Sequence, residues 1–108
     1  MTYNASILDE LFAEISAKAD GNPETSYTAS LIAKAPDAPL RKLSEEVTEA
    51  IIEAMRGDGK ALASESADIL YHLLVVWQAS GVKAEDVWQI LADRQGTSGL
   101  VEKANRQS

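Results

Sequence analysis

Five acids in this 108-residue chain have a spacing that suits chemistry: Glu45, Glu46, Glu49, Glu65 and Asp68. They lie in K-L-S-E-E-V-T-E, residues 42–49, and, fifteen residues later, in E-S-A-D, residues 65–68. An i, i+3 spacing puts two helical side chains on one face. Advancing about 100° per residue aligns Lys42, Glu46, Glu49 and Glu53 in one stripe, with Glu45 to its side. Glu65, Asp68 and His72 form a second stripe. Carboxylates held close together repel one another unless a cation joins them. Mg²⁺ is a hard ion that takes oxygen ligands and bridges to phosphates. The pattern therefore predicts a Mg²⁺ site of Glu46, Glu49, Glu65 and Asp68 that grips a polyphosphate. Taken alone, residues 45–53 read as a solvated helix face. Glu65 and Asp68 tip the balance, because they lie on a helix that is apolar nearly all round, which is the pattern of a buried helix. Buried acids are rare unless paired or metal-bound, and no Lys or Arg occurs between Lys60 and Lys83 to neutralise them.

The elements that must position these acids form a helical hairpin. Leu43, Val47, Ala50, Ile51 and Ala54 recur at helical spacing and predict an amphipathic helix over residues 40–56. A second helix is predicted over 60–80, with Gly57 and Gly59 in the turn between them. Glycine suits the left-handed residue that closes a helix, and so short a connection makes antiparallel neighbours. Folding the chain about residue 57 brings Glu46 level with Asp68, Glu49 level with Glu65, and Lys42 level with His72.

Around the hairpin, residues 6–19 predict a helix capped by Ser6, with Ile7, Leu8, Leu11, Phe12 and Ile15 on its apolar side. A short helix is predicted from Ser26 to Ala35, with Leu31 and Ile32 facing inward, and Asp37 is the candidate cap of the acidic helix. Asp86 to Gln95 continues the helical pattern with Val87, Trp88, Ile90 and Leu91 buried. His72 is the only histidine. It is able to ligate metal, touch phosphate or move a proton, but a lone histidine on an apolar helix is more often a satisfied core residue. Trp77 and Trp88 read as core or interface. The tail from Gly96 to Arg106 reads as a frayed end, or as a basic flap that brings Lys103 and Arg106 over an anionic substrate.

The chain as a whole has the length of a single domain, residues 1–108, and predicts an all-α fold: a small helical bundle around the antiparallel hairpin. So apolar a central helix in so small a protein predicts a homodimer or larger assembly. A net charge of −7 argues against a nucleic-acid surface, which is normally basic. There is no cysteine, which excludes disulfides and thiol nucleophiles. No apolar run reaches the ~18 residues of a membrane span. Residues 1–20 lack the basic start of a signal peptide, so the expected location is cytoplasmic.

The K-x-x-E-E-x-x-E and E-x-x-D pattern resembles the all-α nucleoside triphosphate pyrophosphatases, the MazG-like superfamily. Within that superfamily, three segments resemble the phosphoribosyl-ATP pyrophosphatase family: Ser26-Tyr27-Thr28, the run Ala67 to Val75 with its Tyr71-His72-Leu73, and the tail pieces Ser98-Gly99-Leu100 and Glu102-Lys103-Ala104. The resemblance implies Mg²⁺-dependent hydrolysis of phosphoribosyl-ATP to phosphoribosyl-AMP and pyrophosphate, the second step of histidine biosynthesis, by a helical oligomer. It assigns metal to Glu46, Glu49, Glu65 and Asp68, the same four that the stripes select. It places Glu45, Glu46 and Glu49 in the catalytic set, with Glu45 holding a metal-bound water or a second ion. Lys42, Lys103 and Arg106 are its candidates for substrate phosphate. Two other readings compete. One is a house-cleaning pyrophosphatase acting on free or damaged nucleotides. The other is a non-catalytic helical dimerisation module, which would explain the apolar helix but not four acids at matched heights.

Overall fold

The computed structural model describes residues 3–96 and 99–106, without the side chains of Val101 and Glu102. Six helices follow one another: α1 Ser6–Lys18, α2 Tyr27–Ala33, α3 Asp37–Arg56, α4 Gly59–Ser80, α5 Ala84–Arg94 and α6 Gly99–Asn105. Among the described residues there is no strand, as the all-α expectation required.

The α3–α4 hairpin dominates the packing. Gly57 closes α3 with φ +75°, a left-handed conformation that a residue with a Cβ adopts only under strain. Asp58 then opens α4, its Oδ1 accepting from the Ala61 N–H at 3.0 Å. One residue ends one helix and the next starts the other, so the two are antiparallel. Gly81, φ +74°, closes α4 in the same way.

The core lies on the side of α4 away from the acids. Ile15 of α1, Leu31 of α2 and Leu74 and Val75 of α4 meet there, with Leu8, Leu11, Phe12, Ile32 and Trp77 packed around them. Ser16 Oγ donates to Gln78 Oε1 at 2.7 Å and ties α1 to α4. Trp77 sits edge-on to both Phe12 and Trp88. Trp88 Nε1 donates to Asp9 Oδ1 at 2.8 Å, which links α5 to α1.

Several local expectations are corrected. Ser6 does not cap α1; its own N–H donates to Asn4 Oδ1 at 2.9 Å. Asp37 is the first residue of α3, whose cap position holds Pro36, and its carboxylate pairs with Arg41 instead. Of the four α5 residues expected inside, only Val87 and Trp88 are partly covered; Ile90 and Leu91 are exposed. The tail is not simply frayed, because α6 forms within it; Thr97 and Ser98, on which part of the tail pattern falls, lie outside the described residues. The uncovered apolar surface was expected on α4. Leu70 there is indeed 41% exposed, but within the hairpin more of it lies on α3, where Ile51 is 55% and Met55 86% exposed. No helix among the described residues is long and apolar enough to cross a membrane.

Candidate active site

On the face of the hairpin away from the core, α3 and α4 approach closely enough to leave Ala50 buried. Beside that contact, one carboxylate oxygen from each of Glu46, Glu49 and Glu65 lies within 4.8 Å of the other two. Two of these come from α3 and one from α4, so the cluster exists only because the turn aligns the helices. Glu46 is buried, Glu65 half-buried and Glu49 exposed. Asp68 is one turn further along α4, exposed and outside this triad. The sequence expected a buried acid there. The surface of α4 between its acidic face and Leu70 is left open by this chain, so an apolar neighbourhood in sequence does not bury it.

Lys42 bridges the rim of the cluster, its Nζ 3.3 Å from Glu45 Oε2 and 3.9 Å from Glu46 Oε1. The hydrogen bond to Glu45 is the main reason its pKa is raised; the Tyr27 hydroxyl and the charges of Glu45 and Glu46 add to it, against a smaller loss from burial. Arg56 pairs with Glu53 at 3.6 Å, at the turn end of the same stripe. Among the described residues, the Oε2 of Glu65 is buried without a hydrogen-bond partner. Burial first, then hydrogen bonding to Glu49 and Glu46 and repulsion from their charges, push its carboxyl up to about 7. Three all-oxygen donors, a shortage of positive charge and an orphaned buried carboxylate oxygen together fit a hard divalent cation such as Mg²⁺.

His72 extends the site from α4 toward α2. It is 5% exposed, as a core residue should be, but it is not satisfied: Nδ1 has no hydrogen-bond partner among the described residues. Its pKa is lowered, chiefly by burial and also by Lys42, while Glu46, Asp68 and Glu45 act in the opposite sense. Tyr27 and Tyr71 both meet the imidazole edge-on, at 6.1 and 5.0 Å between ring centres. The two tyrosines stack on each other at 6.3 Å, and Tyr71 Oη shares a 2.5 Å hydrogen bond with the buried Thr28 Oγ1. The Ser26-Tyr27-Thr28 segment therefore does more than cap α2, although Ser26 Oγ also accepts from the Ala29 N–H at 3.1 Å. Sequence reading singled out these three residues without seeing that Thr28 meets Tyr71 and Tyr27 meets both Tyr71 and His72, because the Thr28–Tyr71 contact joins residues 43 apart.

Lys103 and Arg106 are exposed, in the last turn of α6 and just beyond it. Of the five acids, Glu45, Glu49 and Asp68 are exposed, Glu65 is half-buried and Glu46 buried. A more recessed apolar hollow of about 210 Å³ lies elsewhere, between Pro36, Pro39, Leu40, Val76 and Ala79, and contains none of them.

The family model for phosphoribosyl-ATP pyrophosphohydrolase matches residues 8–95, a stretch that holds all five acids and ends before α6. A phosphoribosyl-ATP pyrophosphatase of Azospirillum brasilense is 49% identical over 105 residues, covering 97% of this chain and 95% of that protein. Proteins of the same name from Ruegeria pomeroyi and Jannaschia sp. are each 50% identical, over 101 and 99 residues. These alignments cover 94% and 92% of this chain, and 96% and 97% of the relatives. With a family model spanning most of its length and full-length relatives near half identity, the chain belongs to the phosphoribosyl-ATP pyrophosphohydrolase family.

Proposed function

We propose that this chain hydrolyses phosphoribosyl-ATP to phosphoribosyl-AMP and pyrophosphate in histidine biosynthesis, with Mg²⁺ held on the α3–α4 acids. The observation that carries the reading is the convergence of Glu46, Glu49 and Glu65 from two helices in a chain of this family. These three, with Asp68 swinging in from the next turn of α4, would hold the ion. When bound, Mg²⁺ supplies Lewis-acid stabilisation of charge on the phosphate oxygens and the leaving pyrophosphate.

The chain's own residues do the remainder. Glu45, on the rim beside Lys42, orients the attacking water and takes its proton. The water oxygen bonds to phosphorus as the bond to the pyrophosphate oxygen breaks. Lys42 is within reach of a phosphate once Glu45 releases it, and Lys103 and Arg106 approach from α6. Positioning and electrostatics are sufficient for phosphoryl chemistry of this kind, so no Ser or Cys nucleophile is required. The exposed apolar strip on α3 supports a homodimer, each protomer being one domain of residues 1–108. A cytoplasmic location follows from the same biosynthetic reading.

The test is pyrophosphate release with Mg²⁺ from phosphoribosyl-ATP and from a panel of free nucleoside triphosphates, with Glu49→Gln as control. The reading expects a strong preference for phosphoribosyl-ATP and near-complete loss in the variant. The variant should also lose at least the ~10–100-fold in Mg²⁺ affinity that removing even an outer partner of a metal costs. Preference for a plain triphosphate would instead make it a house-cleaning pyrophosphatase. No release from any of them would leave a non-catalytic module.

A further inference from the structure

We infer that Tyr27, Tyr71 and His72 form a purine-nucleoside subsite beside the acid cluster, with Tyr27 as its stacking face and His72 Nδ1 as its polar contact. This rests on the nucleotide-hydrolase reading above and adds where the base and sugar sit. Three observations on the structure carry it.

The first is the orphaned nitrogen. His72 is 5% exposed and its Nδ1 has no hydrogen-bond partner among the described residues. A buried polar atom without a hydrogen bond is rare in folded proteins and calls for a bound group to satisfy it. The second is Tyr27. Its ring stacks on Tyr71 at an interplanar angle of 17°, yet the residue is 55% exposed. Tyr71 is itself anchored by Thr28 at 2.5 Å. An exposed aromatic ring fixed by a stacked and hydrogen-bonded neighbour is a preorganised platform for another flat ring. The third is continuity with the acids. Tyr27 meets His72 edge-on at 6.1 Å, and His72 lies one turn past Asp68 and two turns past Glu65 on the same face of α4. A nucleotide whose phosphates lie at Glu46, Glu49 and Glu65 thus has its nucleoside end within reach of Tyr27 and His72.

The chemistry of this end of the site suits a neutral ring and hydroxyls. Lys42 is already paired with Glu45 and Glu46, which leaves an aromatic face and one imidazole nitrogen. That nitrogen suits a ribose hydroxyl or a base ring atom. The π-face suits the purine, because base–aromatic stacking needs no particular hydrogen-bond pattern.

The experiment compares wild type, Tyr27→Leu, Tyr27→Phe and His72→Phe. Steady-state kinetics on phosphoribosyl-ATP are paired with calorimetric Mg²⁺ titration. Tyr27→Leu should raise KM about tenfold, within the range expected for loss of one stacked base, with a smaller change in kcat and Mg²⁺ affinity held. Tyr27→Phe keeps the ring and should restore most of the affinity. His72→Phe, which refills the space, should raise KM through the lost hydrogen bond. An unaltered KM in Tyr27→Leu overturns the subsite. Calorimetric titration with AMP separates this from the catalytic reading, because AMP carries the nucleoside but no cleavable anhydride. If wild type fails to hydrolyse phosphoribosyl-ATP, the catalytic reading falls, while AMP binding that is lost in Tyr27→Leu still upholds the subsite. AMP affinity equal in the two proteins, or absent from both, overturns it.

Discussion

At neutral pH the Glu65 carboxyl is divided between its charged and neutral forms, because burial and the nearby Glu49 and Glu46 push it up to about 7 from the usual 4.5. A carboxyl raised in the folded state favours the protonated fold. Its stabilising contribution is full below about 4.5 and is lost as pH rises through about 7. A scan of melting temperature without divalent ions should therefore show a decline between pH 5 and 8. Mg²⁺ requires the carboxylate and displaces that proton, so its affinity should rise over the same range and its addition should reverse the decline. Glu65→Gln should flatten both profiles; a wild-type profile in that variant would place the controlling group elsewhere. The convergence of Glu46, Glu49 and Glu65 on one side of the hairpin was legible from spacing alone, since it needs only helical geometry and a short turn. The exposure of Asp68 and the unsatisfied Nδ1 of His72 were not, since both depend on what other elements place against α4.

The helix α3 presents two faces, acids on one and apolar residues on the other, and this chain covers the second only in part. Leu40, Val47, Ile51, Ile52 and Met55 are all exposed, along with Leu70 on α4. Folding about residue 57 puts Val47 level with Ala67 and Ile51 level with Ala63, so the strip runs across both helices. Contiguous exposed apolar surface of this kind marks an interaction site. Ile51→Glu is expected to convert a dimer to a monomer in sedimentation at micromolar concentration while preserving helix content. A wild-type protein that sediments as a monomer would count against any homodimer. The periodicity of Leu43, Val47, Ala50, Ile51 and Ala54 gave the helix and its faces; it had no means of saying which face its own chain would cover. The same limit applies to α5. Its pattern predicted Ile90 and Leu91 inside, whereas the contact with α1 runs through Trp88 and Asp9. Helix starts were misread at Ser6 and Asp37 because each helix begins one residue earlier, with Ala5 and Pro36 in cap positions that no side chain caps.

Across the whole molecule, a net charge of −7 must coexist with a polyanionic substrate. On the proposed function, metal on the acid cluster would solve this locally, but the phosphate on the second ribose would lie beyond the triphosphate that such a metal grips. Lys103 and Arg106 at the end of α6 are the last cations of the chain. Charge-assisted hydrogen bonds to phosphate are among the stronger ones. Deleting residues 97–108 should raise KM for phosphoribosyl-ATP much more than for ATP, with circular dichroism and Mg²⁺ titration hardly changed. Unaltered kinetics would remove the tail from the site. The helical class and the hairpin were legible in the sequence because they rest on local periodicity. That a helix forms at Gly99–Asn105 was not, because seven residues are too few to set up a helical period.

Gly57 and Asp58 leave the hairpin almost no slack, and this makes the turn a gauge as well as a link. Glu49 and Glu65 stand eight residues from Gly57 on either side, like marks on two rulers joined at zero. Lengthening the joint by two residues, Gly-Ser between Gly57 and Asp58, is thermodynamically minor: even doubling a flexible loop costs only about 0.6 kcal/mol. The buried Leu74 and Val75 would still hold α4 to α1 and α2, so the melting temperature should barely move. What the insertion removes is the zero point. Mg²⁺ affinity should fall although every ligand is retained, and an affinity that stays at the wild-type value would mean that the core, rather than the turn, calibrates the two helices.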